Sequence, residues 1–137
     1  MSTPDVVCLA ARIATEAHKG QFRRDGQTPY ISHPQAVAGR VAGDPVAEAI
    51  AWLHDVLEDT SVTAQDLLSS GLPVEVVKRV ELLTKSGDSE YEDYLGRIKR
   101  DPVARRVKVA DMLANLGDSP SERQIVKYVK GLLILLT

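Results

Sequence analysis

The stretch AEAIAWLHDVLEDT, residues 47–60, is the most informative part of the chain. Its apolar residues recur at helical spacing, which indicates a helix packed in a core, and its last third is acidic. His54 follows Ile50 by four residues and Glu58 follows His54 by four more, so both polar side chains continue an apolar stripe. Asp55 continues a neighbouring apolar row in the same way. Charged groups on a packed face need partners. This helix is therefore a candidate functional element, although acids hydrated at an exposed helix end are the plainer alternative.

The composition is that of one globular domain covering residues 1–137. Hydrophobic residues make up 44% and the net charge is −2, which excludes a disordered tail and argues against a nucleic-acid polymer as partner. Cys8 stands alone, which excludes a disulfide framework and leads us to expect the cytoplasm. The longest apolar run, residues 132–136, is far shorter than the ~20 residues of a membrane span, so we expect no membrane partner.

Nearly every segment shows helical rather than strand periodicity, which predicts an all-α bundle of about seven helices. Proline marks several helix starts, because its missing N–H costs nothing in the first turn; these prolines are Pro34, Pro45 and Pro102. The third helix is predicted to run from residue 45 to about residue 59. Residues 20–32 contain glycine, proline and several charges and are predicted to form a loop.

Two further polar residues are candidates: Asp111 is predicted to face the packed side of the bundle, and His33, which taken alone could be a capping or loop residue, lies at a helix start. Asp111 follows Val107 by four residues in the helix that begins at Pro102. His33 precedes Pro34 at a helix N-terminus, where the helix dipole favours the neutral imidazole that binds metals. Both residues are therefore candidates for the same site as the His-Asp pair.

Charge balance connects these four residues. Two imidazoles and two carboxylates form a ligand set of two nitrogens and two oxygens, and a divalent cation neutralises both acids. Without a cation, the unpaired carboxylates would cost several kcal/mol each. One divalent metal ion therefore accounts for His33, His54, Asp55 and Asp111 together.

Five motifs occur in a fixed order along the chain: GQ at 20–21, RRDG at 23–26, TPYISHP at 28–34, LHDVLEDT at 53–60 and VKVAD at 107–111. Together they resemble the HD-domain metal phosphohydrolases. More narrowly, they are similar to the hydrolase domain of the RelA/SpoT family and to its stand-alone small alarmone hydrolases. The resemblance implies an all-helical fold around one divalent metal, usually manganese, held at the four positions named above.

The resemblance also implies roles for residues around the metal. Glu58 and Asp59 match the acidic pair that the family uses to place and activate the attacking water. Arg23 and Arg24 fall in the loop that the family uses near the nucleotide. Asn115 matches a substrate-contacting asparagine. The partner implied is a small-molecule nucleotide.

The activity implied is that of a guanosine-3′,5′-bis(diphosphate) 3′-diphosphatase, which releases pyrophosphate. Departures after Asp111, at Met112, Ala114 and the pair at 117–118, leave the nucleotide preference open. One alternative is a phosphatase acting on the 2′-phosphate of NADPH or on another nucleotide. A second is a catalytically silent nucleotide-binding or sensing module. A third is a helical interaction domain whose apolar tail from Gly131 packs on another subunit, so a homo-oligomer also stays open.

Overall fold

A computed structural model describes residues 3–137, with side chains from residue 5 onward, and confirms the all-α fold class. Among these residues, no helix combines the length and the apolar character that crossing a lipid bilayer requires. The described part of the chain has nine helical segments: α1 (Thr3–Ala17), α2 (Ser32–Arg40), α3 (Pro45–Leu53), α4 (Val56–Asp59), α5 (Ala64–Ser69), α6 (Val74–Leu83), α7 (Tyr91–Lys99), α8 (Pro102–Leu116) and α9 (Glu122–Leu136).

Helix α3 forms the centre of the bundle and packs against α1, α2, α6 and α8. The carboxylate of Asp44 caps its start by accepting a hydrogen bond from the backbone N–H of Ala47, and Pro45 occupies the first turn. Three of its buried residues are alanines, whose small side chains allow neighbouring helices to approach closely. The buried residues of this helix are Ala47, Ala49, Ile50, Ala51 and Leu53.

Other helix starts also follow the sequence signals. Asp101 caps α8 by accepting from the backbone N–H groups of Val103 and Ala104 at 3.1 and 3.0 Å. Thr63 and Asp66 form a reciprocal capping box at the start of α5. The start of α8 at Pro102 confirms the predicted one, and both caps satisfy backbone donors that the first helical turn leaves unpaired.

The predicted third helix is divided, which is the main difference from the sequence-based expectation. Helix α3 ends at Leu53, and one further turn, α4, begins at Val56. The carbonyl of Ala51 accepts from Nδ1 of the His54 ring at 2.6 Å and from the His54 backbone N–H at 3.5 Å. This carbonyl would otherwise accept from the Asp55 N–H in a continuous helix. The histidine ring therefore takes the place of a helical hydrogen bond, and the chain turns at that point.

Helix α9 packs on α7 and α8 through a close approach at Gly131. A Cβ atom at this position would lie 2.6 Å from Cε of Met112 and 3.4 Å from Cδ1 of Leu95. Leu135 is also buried, whereas Leu133 and Leu136 of the same tail are exposed. The apolar tail therefore contributes to this chain's own core and also leaves apolar surface in solvent.

The contact at Gly131 predicts opposite effects for two glycine-to-alanine changes. Gly96 lies in α7 with open space around it, so Gly96→Ala is expected to stabilise by about 0.5–1 kcal/mol through helix propensity. Gly131→Ala has the same propensity gain but overlaps the buried Met112 side chain. We expect it to be less stable than Gly96→Ala by roughly 1–3 kcal/mol in urea unfolding. Equal stability of the two variants would contradict the close packing of α9.

Candidate metal centre

Three parts of the bundle bring His33, His54 and Asp111 together. His33 lies in α2, His54 directly follows α3, and Asp111 lies in α8. One side-chain nitrogen or oxygen atom of each residue lies within 4.8 Å of those of the other two, and all three residues are buried. The distance from Oδ1 of Asp111 is 2.7 Å to Nε2 of His33 and 3.4 Å to Nε2 of His54.

The protonation of His54 makes its second ring nitrogen a candidate ligand. Because Nδ1 lies 2.6 Å from the carbonyl of Ala51, which only accepts, Nδ1 carries the proton. Nε2 is buried and has no hydrogen-bond partner among residues 5–137. Carboxylate oxygens of Asp55 and Asp111 nevertheless lie 3.1 and 3.4 Å from it. A buried lone pair facing two acids fits a position at which a cation binds.

The electrostatics of the cluster also favour a positive charge at this point. Burial opposes the charged form of His54, but Asp55 and Asp111 raise its pKa well above the usual value. Burial likewise opposes ionisation of Asp111, yet Lys108, His54 and His33 hold its pKa well below the usual value. The acids therefore stay ionised, and either a proton on His54 or a bound cation must balance them. The residues present fit a divalent metal.

Lys108 pairs with the outer oxygen of Asp111. Its Nζ lies 3.0 Å from Oδ2 of Asp111, three residues along α8, and 5.5 Å from the centre of the Tyr94 ring. Burial opposes its charge, but Asp111 and then Tyr94 raise the pKa of Lys108 above the usual value. Lys108 therefore orients the carboxylate so that Oδ1 points towards the two histidines.

Asp55, the fourth predicted ligand, lies next to His54 at the edge of the cluster. Its Oδ2 lies 3.1 Å from Nε2 of His54, and it also accepts a hydrogen bond from the hydroxyl of Tyr30. The group of three mutually close ligand atoms does not include it. Despite burial, His54 lowers the pKa of Asp55 to about 2, so this carboxylate is ionised. It is the next ligand atom available to a cation bound at His54.

The two acids of α4, Glu58 and Asp59, both line the cavity beside this cluster. Oε1 of Glu58 accepts a hydrogen bond of 2.9 Å from the backbone N–H of Lys85, which fixes its direction. Partial burial, followed by the charges of Asp55 and Glu58, raises the pKa of Asp59. Beyond burial, the raised pKa of Asp59 reflects how close the carboxylates of Asp55 and Glu58 lie to it.

The predicted arginines line the same cavity but are held by the segment between α8 and α9. Nη2 of Arg23 lies 2.7 Å from Oδ2 of Asp118 and donates to Oδ1 of Asn115 at 3.2 Å. Arg24 donates to the side chain of Gln124 and to the backbone carbonyl of Asp118. Both guanidinium groups are therefore already oriented by the protein before any anion binds.

Asn115 connects the arginine loop to the buried cluster. Its Nδ2 donates to both the backbone carbonyl and Oδ1 of Asp111, each at 3.1 Å. Its Oδ1 accepts from Arg23. The amide therefore couples the position of Oδ1 of Asp111 to that of the Arg23 guanidinium.

Several further residues of the cavity were not found from the sequence. The cavity holds about 350 Å³ and is also lined by Lys85, Tyr91, Lys127 and Tyr128. Nζ of Lys127 lies 5.1 Å from the centre of the Tyr91 ring, so α9 and α7 meet at the rim. Lys85 and Tyr91 lie in stretches that also fit the family resemblance, and Gln124, Lys127 and Tyr128 share one face of α9 at helical spacing.

No family model matches the chain. Comparison with individual curated proteins nevertheless identifies relatives. The chain is 35% identical to the guanosine-3′,5′-bis(diphosphate) 3′-pyrophosphohydrolase MESH1 of Xenopus tropicalis, over 93% of this chain and 84% of that protein. It is 38% identical to the guanosine-3′,5′-bis(diphosphate) 3′-pyrophosphohydrolase of Haemophilus influenzae over 76% of this chain. It spans only 17% of the length of that bacterial protein.

A solved structure shows the same fold. It is described as a metazoan ortholog of SpoT that hydrolyses ppGpp and plays a role in starvation responses. The match has a TM-score of 0.76 at 23% identity and covers 95% of this chain and 83% of that one. Taken with the extent of the match to MESH1, these comparisons show that the chain belongs to the HD-type family of guanosine-3′,5′-bis(diphosphate) 3′-pyrophosphohydrolases.

Proposed function

We propose that this chain hydrolyses guanosine 3′,5′-bis(diphosphate) at the ribose 3′ position and releases pyrophosphate. The observation that carries the proposal is the buried Nε2 of His54, which faces two ionised carboxylates and has no hydrogen-bond partner in the described chain. The names of the relatives support the substrate. The cavity supports an anionic ligand, because five basic side chains line it: Arg23, Arg24, Lys85, Lys108 and Lys127.

The metal we propose is Mn²⁺, held by His33, His54 and Asp111 with Asp55 beside them. Nitrogen and oxygen donors in this ratio accept several first-row divalent ions, and the family resemblance favours manganese among them. When bound, the ion supplies positive charge that stabilises the charge developing on the phosphoryl oxygens. The lone cysteine of the chain, Cys8, leads us to propose the cytoplasm as its location.

The acids of α4 are proposed to handle the proton of the attacking water. The water oxygen bonds to the phosphorus attached to the ribose 3′ oxygen, and the bond between that phosphorus and the 3′ oxygen breaks. Glu58, fixed by the Lys85 N–H, takes the proton of the water, and Asp59 orients the water. Glu58 then releases this proton and the 3′ oxygen takes one up, so the nucleotide keeps a 3′ hydroxyl and pyrophosphate leaves with the oxygen of the water. Arg23 and Arg24 neutralise the phosphates that do not react.

Removing the proposed base tests this mechanism. Glu58→Gln keeps the side-chain length and an acceptor for the Lys85 N–H, but it removes the group that takes the proton. We expect kcat for pyrophosphate release from guanosine 3′,5′-bis(diphosphate) to fall roughly 10²–10⁴-fold. The matched control is Glu16→Gln, which changes an exposed glutamate on α1 and should leave kcat unaltered.

Two results would contradict the proposal. An unchanged kcat in Glu58→Gln would remove Glu58 from the mechanism. Orthophosphate as the product, with NADPH turned over in place of the bis(diphosphate), would establish the alternative phosphatase.

Metal binding is testable without any substrate. Free Mn²⁺ at 100 times its dissociation constant should stabilise the folded chain by about 2.7 kcal/mol, which raises Tm by roughly 10 °C. His54→Asn is a selective variant, because its amide nitrogen keeps the donor to the carbonyl of Ala51 while Nε2 is lost. We expect no Mn²⁺-dependent rise in Tm for this variant in differential scanning calorimetry. An equal rise in both proteins would place the ion elsewhere.

A further inference from the structure

A second buried histidine, His18, lies outside the metal cluster and has a defined hydrogen bond. It directly follows α1, and only 2% of its surface is exposed. Nδ1 of His18 lies 2.8 Å from Oε1 of Gln21. An amide oxygen only accepts, so Nδ1 of His18 donates.

The Gln21 amide continues this chain of hydrogen bonds to the proposed active site. Its Nε2 donates to the backbone carbonyl of Asp59 at 2.9 Å, across 38 residues of sequence. In the flipped orientation of the Gln21 amide, Oε1 would face the Asp59 carbonyl, and two acceptors would be in contact. The contact with Asp59 therefore assigns the positions of Nε2 and Oε1. The backbone of Gln21 is itself held, because its N–H donates to the carbonyl of His18 and its carbonyl accepts from the N–H of Tyr30.

The hydrogen bond from Gln21 to the Asp59 carbonyl lies at the end of α4, where it can stabilise this short helix. Helix α4 has four residues, and a single helical turn is unstable by itself because few hydrogen bonds offset the ordering of its backbone. The last carbonyls of any helix lack partners within that helix. The Gln21 amide supplies a partner to the carbonyl of Asp59, the final residue of α4.

The same histidine also supports the other side of the site. The ring centres of His18 and Tyr30 are 4.9 Å apart, and the Tyr30 hydroxyl donates to Asp55. His18 therefore contacts the side chains that hold Asp55 and Asp59, one at each end of α4.

We infer that His18 and Gln21 form a clamp that positions Asp59 for the hydrolytic reaction, a role that rests on the proposed function. Gln21 acts on Asp59 through a backbone hydrogen bond, and His18 acts through Gln21, so both are positioning residues. The clamp keeps Glu58 and Asp59 of α4 at a fixed distance from His54 and Asp55. Misplacing a catalytic group by about 1 Å costs up to about 100-fold in rate.

Gln21→Glu tests the clamp selectively. The glutamate keeps the length of the side chain and the acceptor for His18, but it loses the N–H that donates to Asp59. We expect kcat to fall roughly 10–100-fold while KM and the Mn²⁺ dissociation constant stay within about twofold. Gln27→Glu introduces the same charge at an exposed position of the same loop and should keep the original kcat.

His18 is tested by loss and rescue. His18→Leu removes the donor to Gln21 and should lower kcat as Gln21→Glu does. In His18→Asn the amide nitrogen is bonded to Cγ, as Nδ1 is in histidine, and can donate to Gln21 in its place. We therefore expect most of the kcat lost in His18→Leu to be kept in His18→Asn. A residue that serves packing alone would give the opposite order, because leucine fills the buried volume better than asparagine.

Hydrogen exchange of the backbone amides decides the outcome independently of turnover. In Gln21→Glu the amides of Asp59 and Thr60, which close the α4 turn, should exchange faster than in the original chain. Unchanged exchange overturns the clamp. So does faster exchange with an unchanged kcat, or a fall in kcat that accompanies loss of Mn²⁺ binding. If the original chain itself releases no pyrophosphate, the proposed function fails, and exchange alone then shows whether the clamp exists.

Discussion

The interaction on which the rest of the structure depends is the contact of the His54 imidazole with the two carboxylates of Asp55 and Asp111. Both acids are held ionised in the interior, and the proton of the ring is committed to the carbonyl of Ala51. Two buried negative charges against a lone pair are unfavourable unless a positive charge lies among them. The residues at this position therefore fit a divalent cation, and basic side chains line the cavity beside it.

The same histidine also determines the shape of the chain at the site. The carbonyl of Ala51 accepts from the His54 ring, α3 ends at Leu53, and α4 begins at Val56. This turn carries Glu58 and Asp59 into the cavity wall. One side chain thus provides a candidate ligand atom and places the acids that are proposed to handle protons. A straight helix would keep these acids on the row of His54 and Asp55.

Sequence reasoning predicts those features that arise from local spacing. The caps at Asp44, Thr63 and Asp101 are visible because each involves residues two or three positions apart. The inward positions of His54 and Asp111 are predictable because each continues an apolar stripe, and His33 is a candidate because it precedes Pro34 at a helix N-terminus. Contacts between distant segments are not predictable in this way. The pairing of Arg23 with Asp118 spans 95 residues, and the division of α3 depends on the rotamer of one ring. The contribution of α9 to the cavity likewise depends on how closely Gly131 lets it approach.

Anomalous X-ray scattering at the manganese edge, from crystals of the chain grown with Mn²⁺, would locate a bound ion directly. We expect one strong peak within about 2.5 Å of Nε2 of His33, Nε2 of His54 and Oδ1 of Asp111. A peak located away from these three atoms, or saturating Mn²⁺ with no peak among them, would contradict this expectation.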